Sequence, residues 1–402
     1  MKTPIIGDLN LAKIGDRLRT VDRFLFNVLS TRLSGGGLSD FVAENKRRAS
    51  KNGIYEKRRL EVEDARIELV RKWSNDLGLN PNFASTLMYS IISESCLVQD
   101  DYMINKINEG IQLINELDEK SRESYLKENL LTLTAAAAVD YDSQYAQQFL
   151  ATKLHAEFSK RIIFGLMSEL KKRSLAIDLG CATGIISYEI APFFDKVIGY
   201  DISPDMVRVA QSKNTANTDH VEFIEKDLED GFNLSSNSVS LAVMNMGTAS
   251  DIKNIENVLK SLNHCLHPEG KFLLSFYNSE SLLQLFGFLP WPMQIAAHID
   301  QDKQCLEVYC DNDLYFIQAS PRSVQDVSKL LDKHFSIDNI YTYPTLASII
   351  PQTIIESEDK YGVITQKEEL TDLINQIDIN LSLSGINSGV YIIVTGSKKG
   401  KA

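Results

Sequence analysis

The sequence predicts an α/β chain in two parts, an all-helical N-terminal stretch followed by a doubly wound, mostly parallel sheet. Three observations carry this. From residue 10 to about 170 the apolar residues recur at helical spacing, with almost no β-branched runs and few prolines. From residue 175 onward, short apolar strand candidates alternate with helical segments, the pattern that crossover connections require. The length of 402 residues exceeds that of a typical single domain.

In the helical stretch, Leu18, Val21, Leu25, Val28 and Leu29, then Ile67, Val70, Leu87 and Ile91, mark helical faces. The strand candidates are "LAIDLG", "KVIGYDI", "VEFIEKD", "VSLAVMNMG", "GKFLLSFYN", "SIDNIYTY" and "GVYIIVTG". Two insertions interrupt the alternation. "CLEVYCDNDLYFIQAS" predicts a hairpin turning at Asp311-Asn312-Asp313, and residues 345 to 384 predict a loop plus helix between the last two strands. Insertions at such positions commonly cap a ligand pocket. No internal repeat is visible, and the tail "SKKGKA" is expected to fray.

With 54 acidic against 42 basic residues the formal charge is −12, which argues against a nucleic acid partner. The start "MKTPIIGDLNLAK" has no long apolar stretch after its charge, and no segment reaches the roughly 18 apolar residues of a membrane span, so a soluble, cytoplasmic protein is expected. Cys96, Cys181, Cys265, Cys305 and Cys310 lack CxxC spacing; neither a metal site nor a disulfide framework is indicated.

"LAIDLGCATG", residues 175 to 184, breaks from a strand into a glycine turn directly after Asp178. A helix following a parallel strand points its N–H groups at whatever lies above the sheet edge, and Gly180, Ala182 and Gly184 let backbone approach a ligand. The same turn could instead serve only tight strand–helix packing. Asp201, at the tip of the second strand, is placed to accept ribose hydroxyls, and Asp227 ends the third.

In order and spacing, "IDLGCATG", "GYDISPDMV", "EKDLED" and "LNHCLHPEGKFLLSF" resemble the motifs of Rossmann-like class I S-adenosylmethionine-dependent methyltransferases, over roughly 140 to 397. The resemblance implies S-adenosyl-L-methionine as cofactor and an antiparallel seventh strand. It places Asp178 and Gly180 around the methionine part, Asp201 at the ribose, and Cys181, Ala182 and Gly184 among the cofactor-binding residues. Asp227 and Leu228 would meet the adenine, walled by Ile202 and Met206, and Asn245, Met246 and Gly247 would lie beneath the sulfonium. Tyr141 and Tyr145 either close over the cofactor carboxylate or are ordinary packing or surface tyrosines. The pattern DxGxAxG differs from the GxGxxG of a dinucleotide reader, and the family normally has glycine where Ala182 stands. In-line methyl transfer needs alignment and desolvation rather than a catalytic triad. "NMGTAS" lacks the Asp/Asn-Pro-Pro-aromatic signature of nucleobase amino methyltransferases. For the substrate side, Tyr277, Asn278, Trp291 and His298 follow strand five; His298 is either a general base or, with Trp291, part of a packed lid.

Residues 44 to 73 hold ten lysines and arginines, either a solvated face or, if several converge, a site for a small multiply charged acid. This region resembles the all-helical chorismate mutases over about residues 10 to 103, through "VDRFLFNVLSTR", "LSDFVAENK", "GIYEKRR" and "LGLNPNFASTLMYSIISESCLVQ". The resemblance implies that Ser95 contacts substrate, that Arg32, Glu56 and Arg59 fall at anion-binding and turn positions, and that Lys46 and Gln99 donate to an ether oxygen. Departures are Gly15 where an arginine is usual, Leu60 after Arg59 where a glutamate is usual, unless Glu63 takes that place through a three-residue shift, and Gly35-Gly36-Gly37 inside a normally unbroken helix. Each such glycine costs about 1 kcal/mol relative to alanine.

The domain organisation expected is a chorismate-mutase-like domain at 1–103, a helical linker at 104–140 and a methyltransferase domain with cap insertions at 141–402. The function expected is methylation of a small acidic metabolite derived from chorismate or prephenate, with mutase activity in the helical part. The alternative is a methyltransferase of an unrelated small molecule whose helical part is an anion-binding or dimerisation module, with a homodimer left open.

Overall fold

The computed structural model describes residues 11–33, 37–39, 42–43, 60–142, 150–215, 218–285, 297–300, 304–310, 313–350, 356–358, 364–366 and 368–399. The chain divides into two compact units, residues 1–110 and 111–402.

The first unit is helical among its described residues: α1 (Leu11–Leu33), α2 (Leu60–Leu77) and α3 (Pro81–Glu116), the last running past the division. The α2–α3 junction follows from local chemistry. Gly78 takes a left-handed φ of 68°, which closes α2. Asn80 Oδ1 then accepts from the N–H groups of Asn82 and Phe83, and Pro81 opens α3. Ile67, Ile92 and Cys96 form a small buried cluster backed by Met88. Arg71 Nε donates to Ser85 Oγ at 3.1 Å, tying α2 to α3.

The second unit begins with α4 (Glu119–Ala137) and α5 (Leu150–Glu169), followed by β1 (Leu175–Leu179), α6 (Ile185–Ile190), β2 (Lys196–Asp201), α7 (Pro204–Ser212), β3 (Val221–Glu225), β4 (Val239–Met244), α8 (Thr248–Asp251), α9 (Ile255–Cys265) and β5 (Leu266–Tyr277). Then come α10 (Leu282–Leu285), β6 (Ala297–Asp300), β7 (Cys305–Cys310), β8 (Asp313–Gln318), α11 (Val324–Asp332), β9 (Phe335–Tyr343), β10 (Glu356–Glu358), β11 (Ile364–Gln366), α12 (Glu368–Leu383) and β12 (Tyr391–Lys398). The seven-stranded sheet has the order β3-β2-β1-β4-β5-β12-β9. Strands β1 to β5 pair in parallel, and β12 runs antiparallel between β5 and β9. All seven strand candidates and the antiparallel strand are therefore present.

Period two along the strands sends side chains to opposite faces, and both faces are covered. Ala176, Leu241, Val243 and Ile393 join one core with Leu154, Phe158 and Met167 of α5. Ile177, Ala242, Met244, Ile392 and Val394 join the other with Val258, Leu259 and Leu262 of α9. Helix α7 starts on Ser203, which caps Met206 N–H, with Pro204 in the first turn.

The predicted 305–320 hairpin is β7 paired with β8, extended by β6 into a three-stranded sheet. The region 345–384 contains the expected helix, α12, and also the short β10–β11 pair that its sequence did not announce. Helix α4, within the stretch read as a linker, belongs to the second unit, where Leu126 packs with Cys305 and Phe316. Among the described residues no helix is long and apolar enough to cross a membrane.

Candidate active site

The glycine turn joins β1 to α6 with Gly180, Ala182 and Gly184 all at positive φ, 79°, 46° and 81°. A Cβ on Gly180 would sit 2.6 Å from Thr248 Cγ2, so a hydrogen at this position lets the turn approach α8. Gly184 has a different task. A Cβ there would meet the Phe223 ring at 2.6 Å, and Gly184 lines neither cavity described below, so it serves strand–helix packing rather than the expected cofactor contact.

Most of the turn's donors are spent within the fold. Gly180 and Cys181 N–H donate to Tyr200 O, Gly184 N–H to Cys181 O, and Ala182 N–H to Asp201 Oδ2 at 2.8 Å. A pyrophosphate needs such donors free, so the arrangement suits a ligand without one. Asp201, expected at the ribose, lines the larger cavity with its oxygens already partly engaged. Its Oδ1 also accepts from Ser203 N–H at 2.9 Å, and only the remaining lone pairs are left for a ligand. Asp201 is in effect the clasp that holds Ala182 in the left-handed region.

Two cavities flank this turn and share Tyr141, Gly180, Ala182 and Thr248. The smaller, about 240 Å³, is lined by Asp178, Cys181, Asn245 and Met246 together with Glu157 and Lys160 of α5. The larger, about 470 Å³, is lined by Asp201, Ile202, Met206, Asp227 and Leu228. The structure thus gathers the described sequence-predicted cofactor residues into two adjoining walls, Gly184 and Gly247 excepted. Tyr145 lies outside the described residues. Tyr141 stands where the cavities meet, and its neighbour Asp142 is held by Thr183 Oγ1 and Lys213 Nζ.

Electrostatics at the site follow from burial. Asp178 is pushed up to about 7 by desolvation, opposed by the hydrogen bond from Ser187 Oγ at 2.7 Å and reinforced by Asp201. Burial also raises Asp201, with its backbone hydrogen bonds opposing. Asn245 at the end of β4 is gripped from α5: its Nδ2 donates to Ser159 Oγ at 2.9 Å and its Oδ1 faces His155 Nε2 at 3.0 Å. That pairing makes His155 the donor, and burial holds the imidazole down at about 4, hence neutral.

Several residues that line or brace the cavities were not singled out from sequence. Lys127 of α4 pairs with Asp227 at 2.7 Å, and Leu126, Leu130 and Thr134 of the same helix line the larger cavity. His155 and Ser159, four apart on α5, carried a faint signal in their spacing. Asp251 carried none.

On the substrate side the expectations fare differently. Tyr277 and Asn278 are buried and line neither cavity. Asn278 is structural: Nδ2 donates to the carbonyls of Asn387 and Gly389 at 3.0 and 2.7 Å, and Oδ1 accepts from Glu280 N–H. Tyr277 packs against the β4 turn, where a Cβ on Gly247 would meet its ring at 2.2 Å. Trp291 lies outside the described residues, and His298 is placed in β6 with its side chain outside them. The larger cavity's wall carries Glu123, Asp227, Glu229, Asp230 and Asp251 besides Asp201, against Lys127, Lys226 and Lys253, so it offers the expected acidic substrate no surplus of cations.

In the helical unit, Arg32 Nε donates to Ser95 Oγ at 2.9 Å and Gln99 Nε2 to Ser95 O at 2.8 Å. Arg32 is lowered by burial and by the like charge of Arg66. Lys46, Glu56 and Arg59 lie outside the described residues.

Residues 176–270 match the family model described as a methyltransferase domain. The chain is 26% identical over 178 residues to a Bacillus subtilis (strain 168) protein, YqeM, with a provisional methyltransferase name, covering 44% of this chain and 65% of that one. It is 29% identical over 119 residues to the Saccharomyces cerevisiae protein CRG1, named a probable S-adenosylmethionine-dependent methyltransferase, covering 28% of this chain and 40% of that one. The chain thus spans less than two thirds of the length of these relatives. Against the crystal structure of protein PH0226 from Pyrococcus horikoshii OT3 the TM-score is 0.40 at 18% identity, covering 64% of this chain and 99% of that one. The chain carries a class I methyltransferase domain with a Rossmann-like sheet. The family matches support S-adenosyl-L-methionine as its cofactor.

Proposed function

We propose that the protein transfers a methyl group from S-adenosyl-L-methionine to a small molecule. The observation that carries this reading is the pair of adjoining cavities around the glycine turn, one walled by Asp178 and Asn245, the other by Asp201, Met206 and Leu228. The methionine part fits the smaller cavity, and the adenosine part fits the side of the larger one walled by Asp201, Met206 and Leu228. When bound, the cofactor supplies an electrophilic methyl group on a sulfonium; the chain contributes binding, alignment and exclusion of water. Gly180 and Ala182 shape the turn, Asp201 clasps it, and His155 with Ser159 fixes the Asn245 amide. Calorimetric titration with S-adenosylhomocysteine tests the reading, and failure of the intact protein to bind it would overturn the assignment.

The finer reading, an acidic acceptor made from chorismate by the helical unit, draws its support from Arg32 and Ser95 on facing helices near Arg66. A second reading makes that unit a non-catalytic anion-binding or dimerisation module in a cytoplasmic enzyme. The exposed Val21, Leu25 and Val28, on one face of α1, support it. Mass spectrometry of the protein with chorismate and S-adenosylmethionine separates the two: prephenate formation favours the first, and intact chorismate favours the second.

A further inference from the structure

The buried carboxylates of the sheet unit are mostly committed to the fold. Asp178 is held by Ser187, Asp201 by two backbone N–H groups, and Asp378 by the N–H groups of Leu346 and Ala347. Asp251, at the end of α8 and partly exposed as a residue, is only half committed. Tyr277 stands close enough to its carboxyl to favour the charged form, yet Oδ1 is shielded from solvent and has no hydrogen-bond partner. Leaving such an atom bare costs about 1–3 kcal/mol, and a ligand N–H would satisfy it.

Asp251 lines the larger cavity with Thr248, Ile252 and Gln318, facing the α4 residues Leu126 and Leu130 that also line it. The cavity's charge favours a cationic guest. Lys127 is neutralised by Asp227, and Lys253 by Glu119 and Glu123, which leaves Lys226 outnumbered on the same wall by Asp201, Glu229 and Asp230.

We propose that Asp251, positioned by Tyr277, anchors the methyl acceptor through an ammonium or amine N–H group, so that the enzyme selects a small amine. The inference rests on the methyltransferase reading above and takes an amine in place of the acidic acceptor. Burial pushes the Asp251 carboxyl up to about 8, with the nearby Tyr277 opposing, so at neutral pH the empty subsite holds a proton. An ammonium restores the carboxylate and displaces that proton. The other titratable groups nearby do not supply it: Tyr277 on β5 is raised by burial, Tyr391 on β12 is pushed up to about 12, and Lys253 stays paired.

The test titrates the full chain, loaded with S-adenosylhomocysteine, with benzylamine and separately with benzoate, by calorimetry at neutral pH in two buffers of different ionisation enthalpy. Benzylamine should bind at least about tenfold more tightly than benzoate and release a proton. Asp251→Asn should abolish both the preference and the release while S-adenosylhomocysteine affinity stays within about twofold, and Tyr277→Phe should weaken benzylamine several-fold. Benzoate binding as well as benzylamine, no benzylamine binding, or a preference that survives Asp251→Asn overturns the proposal. If the wild-type protein fails to bind S-adenosylhomocysteine, the methyltransferase reading itself falls. If it binds without an Asp251-dependent amine preference, only the amine subsite falls.

Discussion

The sheet unit and the helical unit solve the problem of burial differently. In the sheet unit two apolar layers enclose the strands, and Phe272, Phe276 and Phe335 are fully buried. Among the described residues of the helical unit, by contrast, the buried cluster is Ile67, Ile92 and Cys96, while Phe24 and Phe83 are 70% and 63% exposed. A sheet covered on both faces over-determines its residues; among the described residues of the helical unit, large apolar side chains stay exposed.

The sharpest test of the contrast is truncation. Phe272→Ala should destabilise the sheet unit by about 3–5 kcal/mol, whereas Phe83→Ala should stay within about 0.5 kcal/mol, both measured by urea unfolding. A large loss at Phe83 would show that its face is covered in solution.

Acid response comes next. His155 is fully buried and its pKa is held at about 4, below the ordinary 6.5, so the unfolded chain binds the extra proton between those values. The stability it contributes is present above about pH 6.5 and lost as pH falls toward 4, roughly 3 kcal/mol in all. Asp178 and Asp251 act in the opposite sense, because their raised values make the native state the proton binder as pH rises from about 4 to 8. Comparing wild type with His155→Gln across pH 4 to 7 isolates the histidine; equal slopes would refute its neutral burial.

A somewhat smaller effect is expected at the clasp. Asp201→Ala should weaken S-adenosylhomocysteine by about 100-fold, close to 2.7 kcal/mol, while Arg32→Ala in the helical unit should leave that affinity unchanged in the same titration. Loss in both variants would couple the units energetically.

The smallest effect belongs to Ala182, whose φ of 46° is left-handed. Ala182→Gly should stabilise the sheet unit by about 1 kcal/mol, seen as a rise in Tm, because glycine meets no Cβ penalty there. No gain would mean that Asp201 already offsets the strain.

Much of this was legible in the residues themselves. Short apolar runs alternating with helical segments announced every strand of the large sheet, and the spacing from Asp178 through Asp201 to Asp227 placed three acids at successive strand ends. Other residues misled because local pattern does not reveal partners. Asn278, which follows β5 where a pocket would open, is consumed by the carbonyls of Asn387 and Gly389, more than a hundred residues away. Gly184 looked like a ligand-facing glycine, and the Phe223 ring explains it instead.

The sequence by itself determined the strand and helix periods, the glycine turn and the acids at the strand tips, since these depend on neighbours a few residues apart and on one consistent buried pattern. Only the tertiary structure decided that Asp201 spends its oxygens on Ala182 and Ser203, that α4 walls the larger cavity, and that Asp251 keeps a bare oxygen beside Tyr277. Those outcomes depend on which distant donors burial brings within hydrogen-bonding reach, a property of packing rather than of local spacing.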